Sequence, residues 1–319
     1  MRTDSQKTSI LYLFSCALTF CIFLLIIAGG LVTSKEAGLS VPDWPLSYGK
    51  MFPPMVGNIF WEHGHRMIAG IVGILTLVFM ITVHCLETRP WVKVLSRWMM
   101  GAVLLQALLG GLTVLLLLPP AVSIFHATLA QGFFCLAIAM TYFQSVKQGT
   151  DQHLRPVPCF TPGLERLTLI TTVLIFIQLI LGASVRHTKP TFFVVLHILM
   201  ALIILIHVML VMVRTFREAS PVSPGLLKLA VGFGVISTFQ VFLGMGAFIF
   251  KRVLERHSYA PGLGEVLFAS AHQSVGALVL GVSVLLTLSV RAKRSQVVAR
   301  DCRARLPARQ VSAKARDSQ

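Results

Sequence analysis

The stretch TFFVVLHILMALIILIHVMLVMVR, residues 191–214, decides the fold of this chain. It contains no charged residue before Arg214, and it exceeds the roughly 20 apolar residues that cross a bilayer as a helix. Stretches of the same kind lie at approximately 10–32, 64–86, 96–118, 122–145, 165–186, 225–250 and 266–291. The sequence therefore predicts an all-α integral membrane protein with eight transmembrane helices. The first of these is expected to be a retained helix rather than a cleaved signal peptide.

The charge distribution predicts how the chain is inserted. The protein has 319 residues, of which 55% are hydrophobic and 13% charged, and its net charge is +16. With the N-terminus inside, most lysines and arginines fall in the inner loops and in a basic C-terminal tail. This is the positive-inside pattern, so no nucleic acid is needed to explain the charge. We expect a multi-pass protein with both termini cytoplasmic and with membrane lipids as its surroundings.

A repeated element divides the chain into two halves. It reads QALLGG at residues 106–111, QLILGA at 178–183 and QVFLG at 240–244, and the first span carries the glycines alone at Gly29 and Gly30. Small residues let helices, or a flat cofactor, approach closely. We expect two pseudo-symmetric four-helix bundles, residues 1–150 and 165–291. A cytoplasmic linker, 151–164, joins them, and a basic, disordered cytoplasmic tail, 292–319, follows.

Four histidines occupy matching places, a few residues inside the outer ends of the even-numbered spans: His65, His126, His197 and His272. A single buried histidine is more often structural than a ligand, but four at equivalent depth favour ligation. Zinc sites usually need three or four protein ligands. Two imidazoles in each half instead suit the axial positions of a heme inside a helix bundle. His84 and His207 lie nearer the inner ends and favour structural or interfacial roles.

The outer end of the second span differs from its counterparts. Glu62 shares a helix face with His65, and His63 points toward the outer loop. Glu62 either orients a ligand or takes a proton at a metal, or it merely caps the helix start.

Arg66 and Arg186 lie at the outer rim, where heme propionates would emerge, or they simply extend to the interface. The long loop with PDWP at residues 42–45 is either a functional lid or an interfacial belt.

Two motifs resemble the heme A synthase family. They are GLVTS at residues 30–34 with GLSVPDWPLSYG at 38–49, and the ExxHR pattern formed by Glu62, His65 and Arg66. The likeness in helix number, halves and histidine positions extends over nearly the whole chain. It implies an enzyme of cytochrome oxidase biogenesis in the bacterial inner membrane, one that oxidises a methyl group of heme O to a formyl group, through a hydroxymethyl intermediate. The product, heme A, is the cofactor of terminal oxidases.

The resemblance also implies a site for each half. The N-terminal half would hold the substrate, heme O, with Glu62, His65 and His126 as catalytic residues at its iron. The C-terminal half would hold a permanent heme B through His197 and His272, and the farnesyl tail of heme O would lie along apolar helix surface. Expected partners are heme O synthase (a farnesyltransferase), oxidase assembly factors and an electron acceptor or donor; a homo-oligomer stays open.

The sequence departs from the family pattern at three places. Many bacterial members carry a cysteine pair in the first outer loop, where this chain has Ser40 and Ser47. The C-terminal half has a short outer connection, from Arg186 to Thr191, without a Pro-Asp-Trp motif, so a lid over its heme cannot be carried over. Val32 and Thr33 stand where an arginine often lies, so propionate binding at this position cannot be carried over.

Two main hypotheses follow from the residues. The first is a membrane oxidoreductase, because only one histidine pair is accompanied by a carboxylate and a long loop. The alternative is a non-enzymatic di-heme b-type membrane cytochrome that transfers electrons. A heme transporter is disfavoured because the sequence lacks the discontinuous, charge-bearing helices of secondary transporters.

Overall fold

The computed structural model describes residues 4–148, 161–188, 190–219, 223–254 and 260–305, and within these residues the fold is helical throughout. The helices are α1 (Asp4–Ser34), α2 (Gly57–Leu86), α3 (Pro90–Leu115), α4 (Pro120–Gln148), α5 (Pro162–His187), α6 (Thr191–Ala219), α7 (Pro224–Phe248) and α8 (Leu263–Arg305). A π-helical turn, Ile249–Val253, follows α7. Each predicted span falls within one of these helices, apart from residues at its ends.

All eight helices are long and apolar enough to cross a membrane. Large apolar side chains also cover the outside of the bundle; Leu13, Trp98 and Val235 are each more than 60% exposed. Such a surface suits lipid rather than water, because a soluble protein rarely exposes a continuous apolar belt. The structure thus confirms an all-helical fold with eight membrane-length helices, while the orientation of the termini and the pseudo-symmetry of the halves stay predictions.

Prolines set several helix starts. Pro90, Pro162 and Pro224 each lie in the first turn of their helix, where proline has a favourable φ and its missing N–H costs no hydrogen bond. Thr161 caps α5 by accepting a hydrogen bond from the backbone N–H of Leu164. All of the helices except α6, which begins at Thr191 as predicted, begin before the predicted spans. Hydropathy marks only the part in the bilayer, whereas helical structure continues beyond it.

The C-terminal end of α8 corrects one expectation. Disorder was predicted from residue 292, yet α8 continues to Arg305. Lys, Arg, Gln and Ala are good helix formers, so a polar sequence can extend a helix that the membrane part has already nucleated. The remainder of the predicted tail, 306–319, and most of the predicted linker, 151–160 of 151–164, lie outside the described residues.

The buried core falls into two clusters. One is built from α1 to α4 around Phe79 and Met99, with Ala277 of α8 added. The other is built from α5 to α8 around Phe233 and Leu280. Helix α8 packs against α1 and α4 as well as against α5 and α7. It therefore forms a wall that the two clusters share.

Candidate functional site

Each of the four histidines lies against a glycine of the preceding helix. A Cβ added to the glycine would approach the imidazole Cε1 at 3.1 Å for Gly29 and His65, 3.4 Å for Gly110 and His126, 3.2 Å for Gly182 and His197, and 2.8 Å for Gly244 and His272. The glycines therefore create the space in which the imidazoles lie between paired helices. The same contact occurs four times, at the positions where the sequence repeats its glycines.

The glutamine of the repeat holds the histidine backbone. Gln178 Nε2 donates to the carbonyl oxygen of His197 at 2.9 Å, and Gln240 Nε2 donates to that of His272 at 2.8 Å. In return, Nδ1 of His272 lies 3.2 Å from the carbonyl oxygen of Gln240. A carbonyl can only accept, so this Nδ1 carries the proton and Nε2 is left as the free lone pair that a metal requires. The glutamine had been assigned no role from the sequence, although its fixed spacing before the glycine places both on one helix face.

The pair in the C-terminal half fits two axial ligands of one metal. The ring centroids of His197 and His272 lie 6.2 Å apart, with their planes at 78°. Metal–imidazole bonds of about 2 Å on each side place two ring centroids about 6 Å apart. Among the described residues, no group of three or more His, Cys, Asp or Glu side chains could hold a metal ion. Paired imidazoles lined by apolar helices therefore suit a heme better than zinc.

The pair in the N-terminal half shares the contact with a glycine of the preceding helix, Gly29 for His65 and Gly110 for His126. His65 and His126 lie close enough for their charges to interact, and Nδ1 of His65 is buried without a hydrogen-bond partner. His187, at the end of α5, also lies within electrostatic reach of His126. His187 was given no role in the sequence analysis, because nothing in its local sequence indicates that α5 brings it to the other half.

Glu62 and Arg66 bind the first outer loop, residues 35–56. The Glu62 carboxylate is buried; it accepts from the backbone N–H of Val41 at 2.9 Å and from Arg66 at 2.5 Å. Arg66 also donates to the carbonyl oxygens of Asp43 and Leu46, at 2.7 and 3.0 Å. The suggestion that Glu62 caps the helix start is wrong, because α2 begins five residues earlier, at Gly57. Arg66 is likewise not a rim residue extended toward the interface.

The same loop covers the end of α3 beside His126. A Cβ on Gly111 would lie 2.7 Å from Cδ2 of Trp44, so the indole packs directly on the α3 backbone. Gly111 is adjacent to Gly110, the glycine in contact with His126. On the α2 side, Ser47 Oγ lies 2.8 Å from Nδ1 of His63, so His63 faces the loop as predicted.

Asp43 gives the loop its internal structure. Its carboxylate accepts from the backbone N–H groups of Tyr48 and Gly49, at 2.7 and 2.8 Å. The hydrogen bond from Gly49, followed by the one from Tyr48, holds the pKa of Asp43 below its usual value. The side chain is only partly buried, so the main effect of these bonds is on the shape of the loop.

Arg186 lies between the two halves. It donates to Oε1 of Gln273 on α8 at 2.8 Å, to the carbonyl oxygen of Gly30 on α1 at 2.9 Å, and to the hydroxyl of Ser34. Gln273 follows His272, and Gly30 follows the glycine that contacts His65. Arg186 therefore ties together the backbones next to one histidine of each pair, and it does not extend away from the protein.

The inner histidines form only local contacts. His84 is exposed and its Nδ1 lies 2.9 Å from the carbonyl oxygen of Met80. Nδ1 of His207 lies 3.3 Å from the hydroxyl of Thr171. These contacts agree with the structural or interfacial roles favoured from the sequence.

Eight membrane-length helices and paired, half-buried histidines define the class: a multi-pass helical membrane protein with imidazole pairs at its outer end. Residues 55–194 match the family model COX15-CtaA, described as cytochrome oxidase assembly protein. This range includes Glu62, His65, His126 and Arg186, and it ends before His197.

Curated relatives point the same way. The chain is 27% identical over 186 residues to heme A synthase of Exiguobacterium sibiricum, covering 57% of this chain and 61% of the relative. It is 31% identical over 188 residues to heme A synthase of Bacillus pumilus, covering 57% and 60%. It is 34% identical over 128 residues to heme A synthase of Ruegeria pomeroyi, covering 36% of this chain and 33% of the relative. The chain thus aligns with about three fifths of the length of the first two. These matches confirm the predicted resemblance to the heme A synthase family.

Proposed function

We propose that this protein is a heme A synthase, a membrane oxidoreductase that converts the methyl group of heme O to a formyl group. The observation that carries the proposal is an asymmetry. Both halves have a histidine pair on glycines, but among the residues that the structure describes, only the pair of His65 and His126 is accompanied by a buried carboxylate and a loop fixed over it. A reacting site needs a polar group and a cover, whereas a site that only transfers electrons needs neither.

In the proposed reaction the N-terminal half binds the substrate. His65 and His126 hold the iron of heme O, and the glycines behind them keep the imidazoles between the helices. The methyl carbon passes through two successive hydroxylations, and loss of water then gives the aldehyde. The net change, –CH₃ + H₂O → –CHO + 4 H⁺ + 4 e⁻, requires an external electron acceptor that takes up the four electrons. Glu62, one helical turn from His65, accepts a proton released during this oxidation. The loop held by Glu62 and Arg66 keeps water from the exposed edge of the substrate.

The C-terminal half is proposed to hold a permanent heme B between His197 and His272. When bound, this heme supplies a redox centre that takes up electrons. The spacing of the two rings and the proton on Nδ1 of His272 support the assignment. Arg186 stabilises the junction between this site and the substrate site.

The alternative is a di-heme b-type cytochrome without enzymatic activity. Its support is that the histidine–glycine contact is the same in both halves. It does not explain why Glu62 and Trp44 accompany only one pair. The two proposals differ in their product, because a pure electron carrier leaves heme O chemically unchanged.

Coexpression with a heme O synthase tests the function. Extraction and chromatography of the hemes should reveal heme A in cells with the wild-type protein and only heme O in cells without it. Persistence of heme O in cells whose purified protein is folded and contains heme would rule out heme A synthesis. A variant in which both His65 and His126 are replaced by Ala serves as the inactive control.

The setting of the protein is also proposed. We infer a location in the bacterial inner membrane, with both termini in the cytoplasm, near heme O synthase and oxidase assembly factors. The basic inner loops support this orientation. A reporter that is active only in the cytoplasm should be active when fused at Gln319 or after Gln148. A reporter that is active only outside should be active when fused at Ser34.

A further inference from the structure

Arg186 is the central residue of a hydrogen-bond network that joins the two halves. Its guanidinium donates to Gly30 and Ser34 of α1 and to Gln273 of α8. The hydroxyl of Ser34 lies 2.8 Å from that of Ser270, which is buried on α8. A Cβ on Gly30 would lie 3.0 Å from Nε2 of Gln273, so the glycine leaves the space in which this amide extends from α8 to α1. The network therefore combines side chains of three helices from both halves.

On the C-terminal side, the network adjoins both histidines of the pair. Arg186 follows Gly182, which lies against His197, by about one helical turn. Residues four apart share a helix face. Gln273, which accepts from the guanidinium at 2.8 Å, directly follows His272. These contacts hold Arg186 beside the site proposed for the resident heme.

On the N-terminal side, the network reaches the glycine that supports one histidine. The carbonyl oxygen of Gly30 accepts from Arg186 at 2.9 Å. Gly30 directly follows Gly29, on which an added Cβ would lie 3.1 Å from Cε1 of His65. Arg186 therefore lies between the site proposed for the substrate and the site proposed for the resident heme.

The hydrogen-bond partners of Arg186 do not neutralise its charge. They are a carbonyl oxygen, a hydroxyl and an amide oxygen, and within the described part of the chain Arg186 forms no ion pair. Glu265 lies within electrostatic reach, but its carboxylate is paired with Lys251 at 2.5 Å. A partly buried charge is screened less than an exposed one, so its field acts on neighbouring groups. A cation near a redox centre stabilises the reduced form and raises the reduction potential.

We propose that Arg186 sets the direction of electron transfer: its charge raises the reduction potential of the heme between His197 and His272, so that this heme accepts electrons from the substrate site. The proposal rests on the proposed function and adds to it a residue that acts through its charge. The step is a one-electron reduction of the heme iron, from ferric to ferrous, by an electron that substrate oxidation releases; no bond is formed or broken. A neutral side chain with N–H groups could form the same kind of hydrogen bonds, so the charge is the property that distinguishes arginine here.

Redox potentiometry of the heme in the C-terminal half tests the proposal. Full-length protein that carries His65→Ala and His126→Ala is used, so that this heme titrates alone. Arg186→Gln should lower the ratio of ferrous to ferric heme at a fixed applied potential about tenfold, which corresponds to about 59 mV. The reason is that a unit charge on the order of 10 Å from a redox centre, at an effective dielectric constant of about 20, has roughly this effect.

Two further variants separate charge from shape. Arg186→Lys keeps the charge, so its ratio should stay within about threefold of that of the parent protein. Arg252→Gln makes the same change of charge at an exposed position of the same half, and it should leave the ratio unchanged. A decrease in either variant as large as that in Arg186→Gln would overturn the proposal.

Gln273→Glu covers the case in which Arg186→Gln does not fold. It keeps the guanidinium and gives it an anionic partner, so the network should stay intact while the ratio falls about tenfold. The absorption spectrum checks that both imidazoles stay bound to the iron. An unchanged ratio in Gln273→Glu would overturn the proposal.

Heme A formation by protein with intact His65 and His126 is measured separately in coexpressing cells. Normal heme A formation with an unchanged ratio in Arg186→Gln would refute the role of Arg186 alone. Absence of heme A with a tenfold decrease in the ratio would support the effect of Arg186 on the heme and refute the proposed enzymatic function.

Discussion

At the scale of single residues, the four glycines beneath the histidines are not equivalent. An added methyl group meets the imidazole at 2.8 Å for Gly244 and at 3.4 Å for Gly110. The first distance requires the ring to move, whereas the second is an ordinary van der Waals contact. The contact between Gly244 and His272 is therefore the least tolerant of the four, since Gly29 and Gly182 are intermediate, at 3.1 and 3.2 Å.

Gly244→Ala should displace the His272 ring and reduce the resident heme to less than about half of the wild-type content, because overpacking costs about 1–3 kcal/mol. Heme content per protein, measured by the pyridine hemochrome spectrum, checks this. Gly232→Ala lies on the same helix with no atom within 4 Å of the new Cβ, and it should retain full heme content. Equal heme loss in Gly244→Ala and Gly232→Ala would show that the contact with His272 is not the cause of the loss.

Glu62→Gln should lower heme A formation about 100-fold or more, since loss of a general base typically costs this much. The amide can still accept from Val41, so the loop and both hemes should stay in place. Heme chromatography gives the activity, and the absorption spectrum gives the heme content. Full activity of the Gln variant would leave Glu62 with a purely structural role in holding the loop.

The Asp43 carboxylate predicts a pH dependence of the outer loop. Its pKa is lowered in the folded loop by the N–H groups of Gly49 and Tyr48, so the ionised form stabilises the loop. This contribution is complete above the ordinary carboxyl pKa of about 3.9 and is lost as the pH falls through the lowered value. Fluorescence of Trp44, taken as the difference from Trp44→Phe, should change in that acid range. The change should be absent in Asp43→Asn.

At the scale of elements, the outer loop is a cover supported by two helices. Its contacts to α2 come from Glu62, Arg66 and His63, and its contact to α3 comes from Trp44. Gly111→Ala should lift Trp44 from α3, and we expect about a tenfold loss of heme A formation with heme content retained. Gly101→Ala, on the same helix with open space around it, is the matched control. A similar loss in both variants would attribute the effect to the helix rather than to the cover.

Sequence patterns predicted the helices well and their connections poorly. The eight spans and the depth of the histidines follow from hydropathy and helical spacing, which are local properties. The ion pair of Glu62 and Arg66 is also local, at i and i+4, but its partners are carbonyl and N–H groups of a loop about twenty residues earlier. Such contacts depend on how the loop folds back onto α2. A pattern of side chains does not indicate which backbone N–H or carbonyl group of the loop will be free to form a hydrogen bond.

The Arg186 junction shows the same limit over a longer distance. Its partners Gly30 and Gln273 are 156 and 87 residues away. An arginine at a helix end is ordinarily assigned to the membrane interface, so only the packing of α8 against both α1 and α5 reveals its contacts. Arg186→Gln should cost about 2 kcal/mol of stability, the range for hydrogen bonds to a charged group. Thermal unfolding in detergent checks this, and Arg186→Lys should recover part of the loss.

At the scale of the whole molecule, the two halves differ in how they meet the outside. The N-terminal pair lies under a long loop that hydrogen bonds fix to α2. At the same end of the C-terminal half, the described residues include the short connection between α5 and α6 and the π-helical turn Ile249–Val253 after α7. The histidine–glycine contact is thus common to both halves, while the described connections beside it differ.

Because α8 packs against both halves, the two halves are not independent folding units. Ala277 completes the N-terminal core, Leu278 packs against it, and Gln273 binds the arginine that reaches α1. A gene interrupted between the halves should therefore yield an N-terminal fragment that is degraded when made alone, and both fragments should accumulate when made together. If this chain arose by duplication of an ancestral four-helix unit, neither copy can now be lost. The reason is that α8, in the second copy, supplies part of the interior of the first.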